Sequence, residues 1–101
     1  PVVIDDRVFV ASYDGRVYAV ERTRGVEVWR FETRKPIFAS PSLAGERLYV
    51  GGQDKKLYVL DTRSGAKLWE YATKGSIYSA PAVVDGAVYV ASGDNVIYAL
   101  R

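Results

Sequence analysis

Short apolar runs broken by glycine, aspartate, asparagine and serine dominate the chain. Val8–Ala11, Val17–Val20, Val88–Ala91 and Val96–Leu100 are rich in β-branched and aromatic residues, which favour strands. The breaks hold turn formers, and the connections are as short as antiparallel hairpins require. No apolar pattern of period 3.6 persists for three turns, so helices are not expected. Successive strand residues point to opposite faces. These runs do not alternate apolar with polar, so both faces of their sheets should be covered.

The runs recur with a spacing of 40 residues. Pro1, Pro41 and Pro81 open successive copies, and the third copy ends about halfway, at Arg101. Identical pairs between the first two copies are Arg7/Arg47, Val10/Val50, Asp14/Asp54, Tyr18/Tyr58, Gly25/Gly65, Trp29/Trp69, Thr33/Thr73 and Ile37/Ile77. The third copy keeps Val90, Asp94 and Tyr98. In the second copy the four runs are Ala39–Leu43, Arg47–Gly51, Lys56–Leu60 and Lys67–Tyr71. A period of roughly 40 to 50 residues with several short strands per unit points to propeller blades.

The expected fold is therefore all-β, a partial β-propeller of about two and a half to three four-stranded antiparallel blades. Blade 1 is expected at 1–33, blade 2 at 38–73 and an incomplete blade 3 at 78–101. Blades stacked face to face cover both sides of their inner strands. The fourth run carries Glu27, Arg30 and Glu32, as a rim strand should. Pro41 and Pro81 are expected in the first strand of a copy, at a sheet edge where a missing N–H is tolerated. Propellers close with about 4–8 blades. The outer faces of the first and last blades are thus expected to be covered by copies of the chain or by the remainder of a longer propeller.

Composition narrows the chemistry. The chain has no cysteine and no histidine. That excludes disulfides, thiolate sites and the commonest metal ligand and general base. Serines at 12, 40, 42, 64, 76, 79 and 92 therefore lack the usual base that would activate a nucleophile. A net charge of +2 gives no reason to expect nucleic acid, and no apolar run approaches the ~20 residues of a membrane helix. Asp14, Asp54 and Asp94 recur at one turn. A carboxylate ring could take calcium, but aspartate is also a standard turn residue, and the turn reading is preferred. Asp5-Asp6 and Asp85-Gly86 read as turns at the opposite end. The chain lacks methionine and begins with proline, so it is expected to be a processed product, an engineered blade set or a fragment.

Arg16, Arg34, Lys35, Lys55, Lys56 and Lys74 outnumber Asp14, Asp54 and Asp94 in the turns and linkers at one end of the blades. That end suits an anionic partner, or is simply a solvated rim.

The stretches Ala19–Trp29 and Val59–Trp69 resemble the tryptophan-docking motif of the quinoprotein (PQQ-like) propeller repeat. The second matches at Asp61, Gly65 and Trp69. Glu21, Arg24, Ser64 and Val59 depart from its usual residues. The resemblance implies structural docking by Trp29, Trp69, Gly25, Gly65, Ala19 and Asp61, with each indole packed on the neighbouring blade. It implies a non-enzymatic module for protein–protein interaction or scaffolding, with no cofactor. Members of this kind include a lipoprotein of bacterial outer-membrane barrel assembly and extracytoplasmic scaffold domains. Partner contacts are then expected at the inner strands and blade ends, around Phe38, Tyr78, Arg34, Lys35, Lys55 and Lys74. The family also contains dehydrogenases that bind PQQ and calcium, which remains the alternative. Their long cofactor-holding insertions and cysteine pairs have no counterpart in the short loops here.

Overall fold

The computed structural model describes residues 2–33, 35–37, 40–93 and 96–100. Among these described residues, eleven strands form three antiparallel sheets in tandem. The first holds β1 (Val2–Ile4), β2 (Arg7–Ala11), β3 (Arg16–Glu21) and β4 (Val26–Glu32). The second holds β5 (Ser42–Ala44), β6 (Arg47–Gly51), β7 (Lys56–Asp61) and β8 (Lys67–Ala72). The third holds β9 (Ala82–Val84), β10 (Ala87–Ala91) and β11 (Ile97–Leu100). In each sheet neighbours in sequence are neighbours in space. The turns explain why. Asp5, Gly45, Asp85 and Gly86 all adopt positive φ, the geometry of tight hairpins.

The apolar runs find cover on both sides. From the middle sheet, Leu48, Val50, Tyr58 and Leu60 join Phe9, Val17, Ala19 and Trp29 of the first sheet in one core. Tyr49, Leu57 and Val59 point the other way and join Val88 and Val90 of the third sheet in a second core. The missing alternation in the sequence thus corresponds to a sheet sandwiched between two others. Each fully buried leucine or phenylalanine contributes roughly 1.5–3 kcal/mol of transfer free energy. The sheets stack in series as three partial-propeller blades, not as two opposed layers. In β4 only Trp29 is buried, as befits an outer strand.

The links between sheets are stitched by isoleucines. Ile37 and Ile77 are buried, one in each core. Their amides donate to the carbonyls of Ser12 at 3.4 Å and Gly52 at 3.2 Å. Ile77 occupies the space that a side chain at Gly51 would need. At the first strands, the Ser42 hydroxyl donates to the carbonyl of Pro81. One sequence expectation needs adjusting. Pro41 and Pro81 each stand one residue ahead of β5 and β9, both edge strands, instead of within them. Proline fixes φ and offers no N–H, so it leads into an edge strand without costing a ladder bond. Pro1 lies outside the described residues.

Candidate functional site

The tryptophan hairpins are built alike. Gly25 and Gly65 have φ of 67° and 77°, and their amides donate back to Glu21 and Asp61 carbonyls at 2.8 and 2.9 Å. A β-bulge follows in each. Ala19 faces Trp29 while Val20 faces Glu27, leaving Val28 extra; Val59 faces Trp69 while Leu60 faces Lys67, leaving Leu68 extra. A bulge re-aims the side chain beside it. Here it turns the tryptophan inward, opposite a small or β-branched residue of the third strand. Asp61 holds the second hairpin, its carboxylate accepting the amides of Arg63 at 2.8 Å and Ser64 at 3.4 Å.

Trp29 crosses the seam to the next sheet. It is 8% exposed, and its Nε1 donates to the Thr62 carbonyl at 3.0 Å. Its ring lies so close over Gly65 that an added Cβ would sit 2.5 Å from a ring carbon. Gly65 is therefore required twice, for its positive φ and for the indole above it. At Gly25 only the first reason applies, since a Cβ there meets nothing within 4 Å. Arg7 reinforces the seam, its guanidinium donating to the Thr62 carbonyl at 2.9 Å and the Arg63 carbonyl at 3.1 Å. Phe9 packs beside the indole, ring centroids 5.8 Å apart. The pairing of Arg7 with Arg47 in the repeat was the signal for this latch, but its donor role is invisible without the neighbouring sheet.

Trp69 has a different setting. It is half-buried and packs on the second core. Arg47, the counterpart of Arg7, is exposed.

At the other end of the sheets the turn aspartates serve the backbone. Asp14 accepts the Arg16 amide at 3.0 Å and the Tyr18 hydroxyl at 2.8 Å; Asp54 accepts the Lys56 amide at 3.2 Å and the Tyr58 hydroxyl. The Tyr18 hydroxyl is the main reason the Asp14 carboxyl titrates below its ordinary range. Asp94 lies outside the described residues. No group of three or more carboxylates among the described residues is placed to hold a metal ion. Of the expected partner contacts, Lys35, Lys55, Lys74 and Tyr78 are exposed, while Arg34 and Phe38 lie outside the described residues. The Gln53 amide donates to the Tyr78 hydroxyl at 3.5 Å.

Two clefts flank the seam between the first two sheets. One of about 450 Å³ lies at the hairpin end, between Asp6, Arg7, Glu46 and Arg63. The other, of about 640 Å³, lies at the turn-and-linker end and contains both Lys35 and Lys55.

Among solved structures, BamB from Moraxella catarrhalis is 28% identical, with a TM-score of 0.86 over 97% of this chain and 31% of its own. The quinohemoprotein alcohol dehydrogenase from Comamonas testosteroni is 26% identical, with a TM-score of 0.84 over 92% of this chain and 16% of its own. The computationally designed Ika4 protein shares the fold at 19% identity, with a TM-score of 0.88 over 99% of this chain and 62% of its own. This chain thus spans less than two thirds of each of these structures. No curated protein sequence matches it. Residues 13–101 match the family described as outer membrane protein assembly factor BamB. With three tandem blades and a match over most of its length, the chain belongs to this PQQ-like β-propeller family.

Proposed function

We propose that the chain is a non-catalytic propeller module that binds other protein surfaces and serves as a scaffold outside the cytoplasm. The observation that carries this reading is the contrast between the middle sheet and its neighbours. The middle sheet buries both faces, whereas the outward faces of the other two present Val3, Val10, Tyr89 and Ile97, the last 73% exposed. Exposed apolar side chains gathered on one sheet face suit association. They match in kind the faces already buried, so the natural covering is another blade of the same type. Copies of this chain or the remainder of a longer propeller would supply it. The likeness to BamB and the family description support the scaffold role and the extracytoplasmic setting.

The test is native mass. Size-exclusion chromatography with light scattering should give a mass above that of the monomer, rising with concentration. A monodisperse monomer at tens of micromolar overturns the assembly reading. Titration with PQQ and calcium tests the catalytic alternative: a saturable absorbance change with dye-linked oxidation would replace this proposal.

A further inference from the structure

The cleft at the turn-and-linker end has an aromatic floor and a cationic rim. Phe31 and Tyr58 meet edge to face on its floor, centroids 5.2 Å apart. The carboxylates around it are already engaged. Glu32 pairs with Arg16 at 2.9 Å, Glu70 with Lys56 at 3.1 Å and with Lys67, and Asp54 takes the Tyr58 hydroxyl. The ammonium groups of Lys35 and Lys55 have no hydrogen-bond or ion-pair partner among the described residues.

The turn fixes where Lys55 stands. Lys55 has φ of 71°, where the first copy has Gly15 at 87°. A lysine in the left-handed region is disfavoured relative to glycine, and the turn holds it there, its amide donating to the Gly52 carbonyl at 3.3 Å. The Lys55 carbonyl holds this conformation by accepting the Thr73 amide at 2.7 Å and hydroxyl at 2.9 Å.

We propose that this cleft is a docking groove for an acidic peptide segment of a partner protein. Lys35 and Lys55 pair with its carboxylates, and an apolar side chain rests on Phe31 and Tyr58. The inference rests on the protein-binding reading above and names its surface and the partner's chemistry. The cleft volume of about 640 Å³ accommodates a few side chains. Charge complementarity selects the occupant. Two unneutralised point charges between engaged carboxylates suit spaced Asp or Glu residues. A continuous phosphate track needs many cations and would meet Glu32 and Glu70.

The experiment is fluorescence anisotropy at low salt with a labelled peptide alternating glutamate and leucine, on the full chain. Saturable binding is expected, lost at high salt and weakened roughly five- to tenfold in the double variant Lys35→Ala, Lys55→Gly, the size expected for two exposed charge pairs. Glycine keeps the left-handed backbone, so the melting temperature of Lys55→Gly should not fall. Absence of saturable binding overturns the proposal. So does equal binding by the variant, equal binding of a glutamine-for-glutamate peptide, or tighter binding of a DNA oligonucleotide. Light scattering on the same samples reads assembly separately. A chain that assembles but ignores the peptide overturns the groove alone.

Discussion

The indole nitrogen of Trp29 donates to the carbonyl of Thr62, 33 residues downstream and in the next sheet, at 3.0 Å. The same carbonyl receives the Arg7 guanidinium, so two side chains of one blade hold one loop of the next. This relation ties the local hairpin to the stacking of sheets, and it separates residues that the repeat makes equivalent.

Trp29→Ala should destabilise the chain more than Trp69→Ala. Removing a buried tryptophan costs about 3–5 kcal/mol, and less where the ring is half-buried, as at Trp69. Urea unfolding of both variants checks this. Equal midpoints would mean that the contact with Gly65 and Thr62 adds nothing.

Gly65→Ala should cost more than Gly25→Ala. Both place a Cβ at positive φ, which costs about 1–2 kcal/mol. Only at Gly65 does that Cβ strike the Trp29 ring. The double variant Trp29→Ala, Gly65→Ala should then lose less than the two single losses summed, because the clash disappears with the ring.

At Gly51 the obstacle is Ile77. Gly51→Ala should destabilise by about 1–3 kcal/mol, the range for overpacking a core. Adding Ile77→Ala, which removes the Cγ2 and Cδ1 atoms that this Cβ would meet, should give a loss smaller than the two single losses summed. Thermal melts of the single and double variants measure it.

Arg7→Ala should lower stability by about 1 kcal/mol, since a partly buried charged donor leaves two carbonyls. Arg47→Ala should change it little, because Arg47 is exposed. A comparable loss at Arg47 would show that the latch depends on something other than the Thr62 and Arg63 carbonyls.

Acid should weaken the fold. Asp14 is held below its ordinary value of 3.8 chiefly by the Tyr18 hydroxyl, and Glu70 below 4.5 by hydrogen bonds from Lys67 and Lys56. Glu21 and Glu27 are lowered likewise by Arg24 and Arg30. A depressed carboxyl binds fewer protons folded than unfolded. Its contribution is present above those ordinary values and lost as pH falls through the folded ones. Melting temperature should decline there, and Glu70→Gln should flatten that decline. Asp14 and Glu27 are exposed while Glu21 and Glu70 are half-buried, so high salt should flatten it in part.

The sequence by itself determined the strands, their order within each sheet and the fact of stacking. Those depend on local chemistry: β-branched runs, turn residues such as Asp5, Gly45 and Gly86, and apolar side chains pointing both ways along one strand. The strand edges around Pro41 and Pro81 were readable only to within a residue, because proline serves equally before a strand and at its start. How deeply each of two identical tryptophans is buried, what Arg7 and Ile77 do, and why Gly65 is constrained beyond Gly25 were decided by the tertiary structure. Each depends on atoms of another sheet approaching within a few ångströms. A 40-residue repeat makes Trp29 and Trp69 alike in sequence, but burial depends on what stands opposite, and only Trp29 has Gly65 and Thr62 before it.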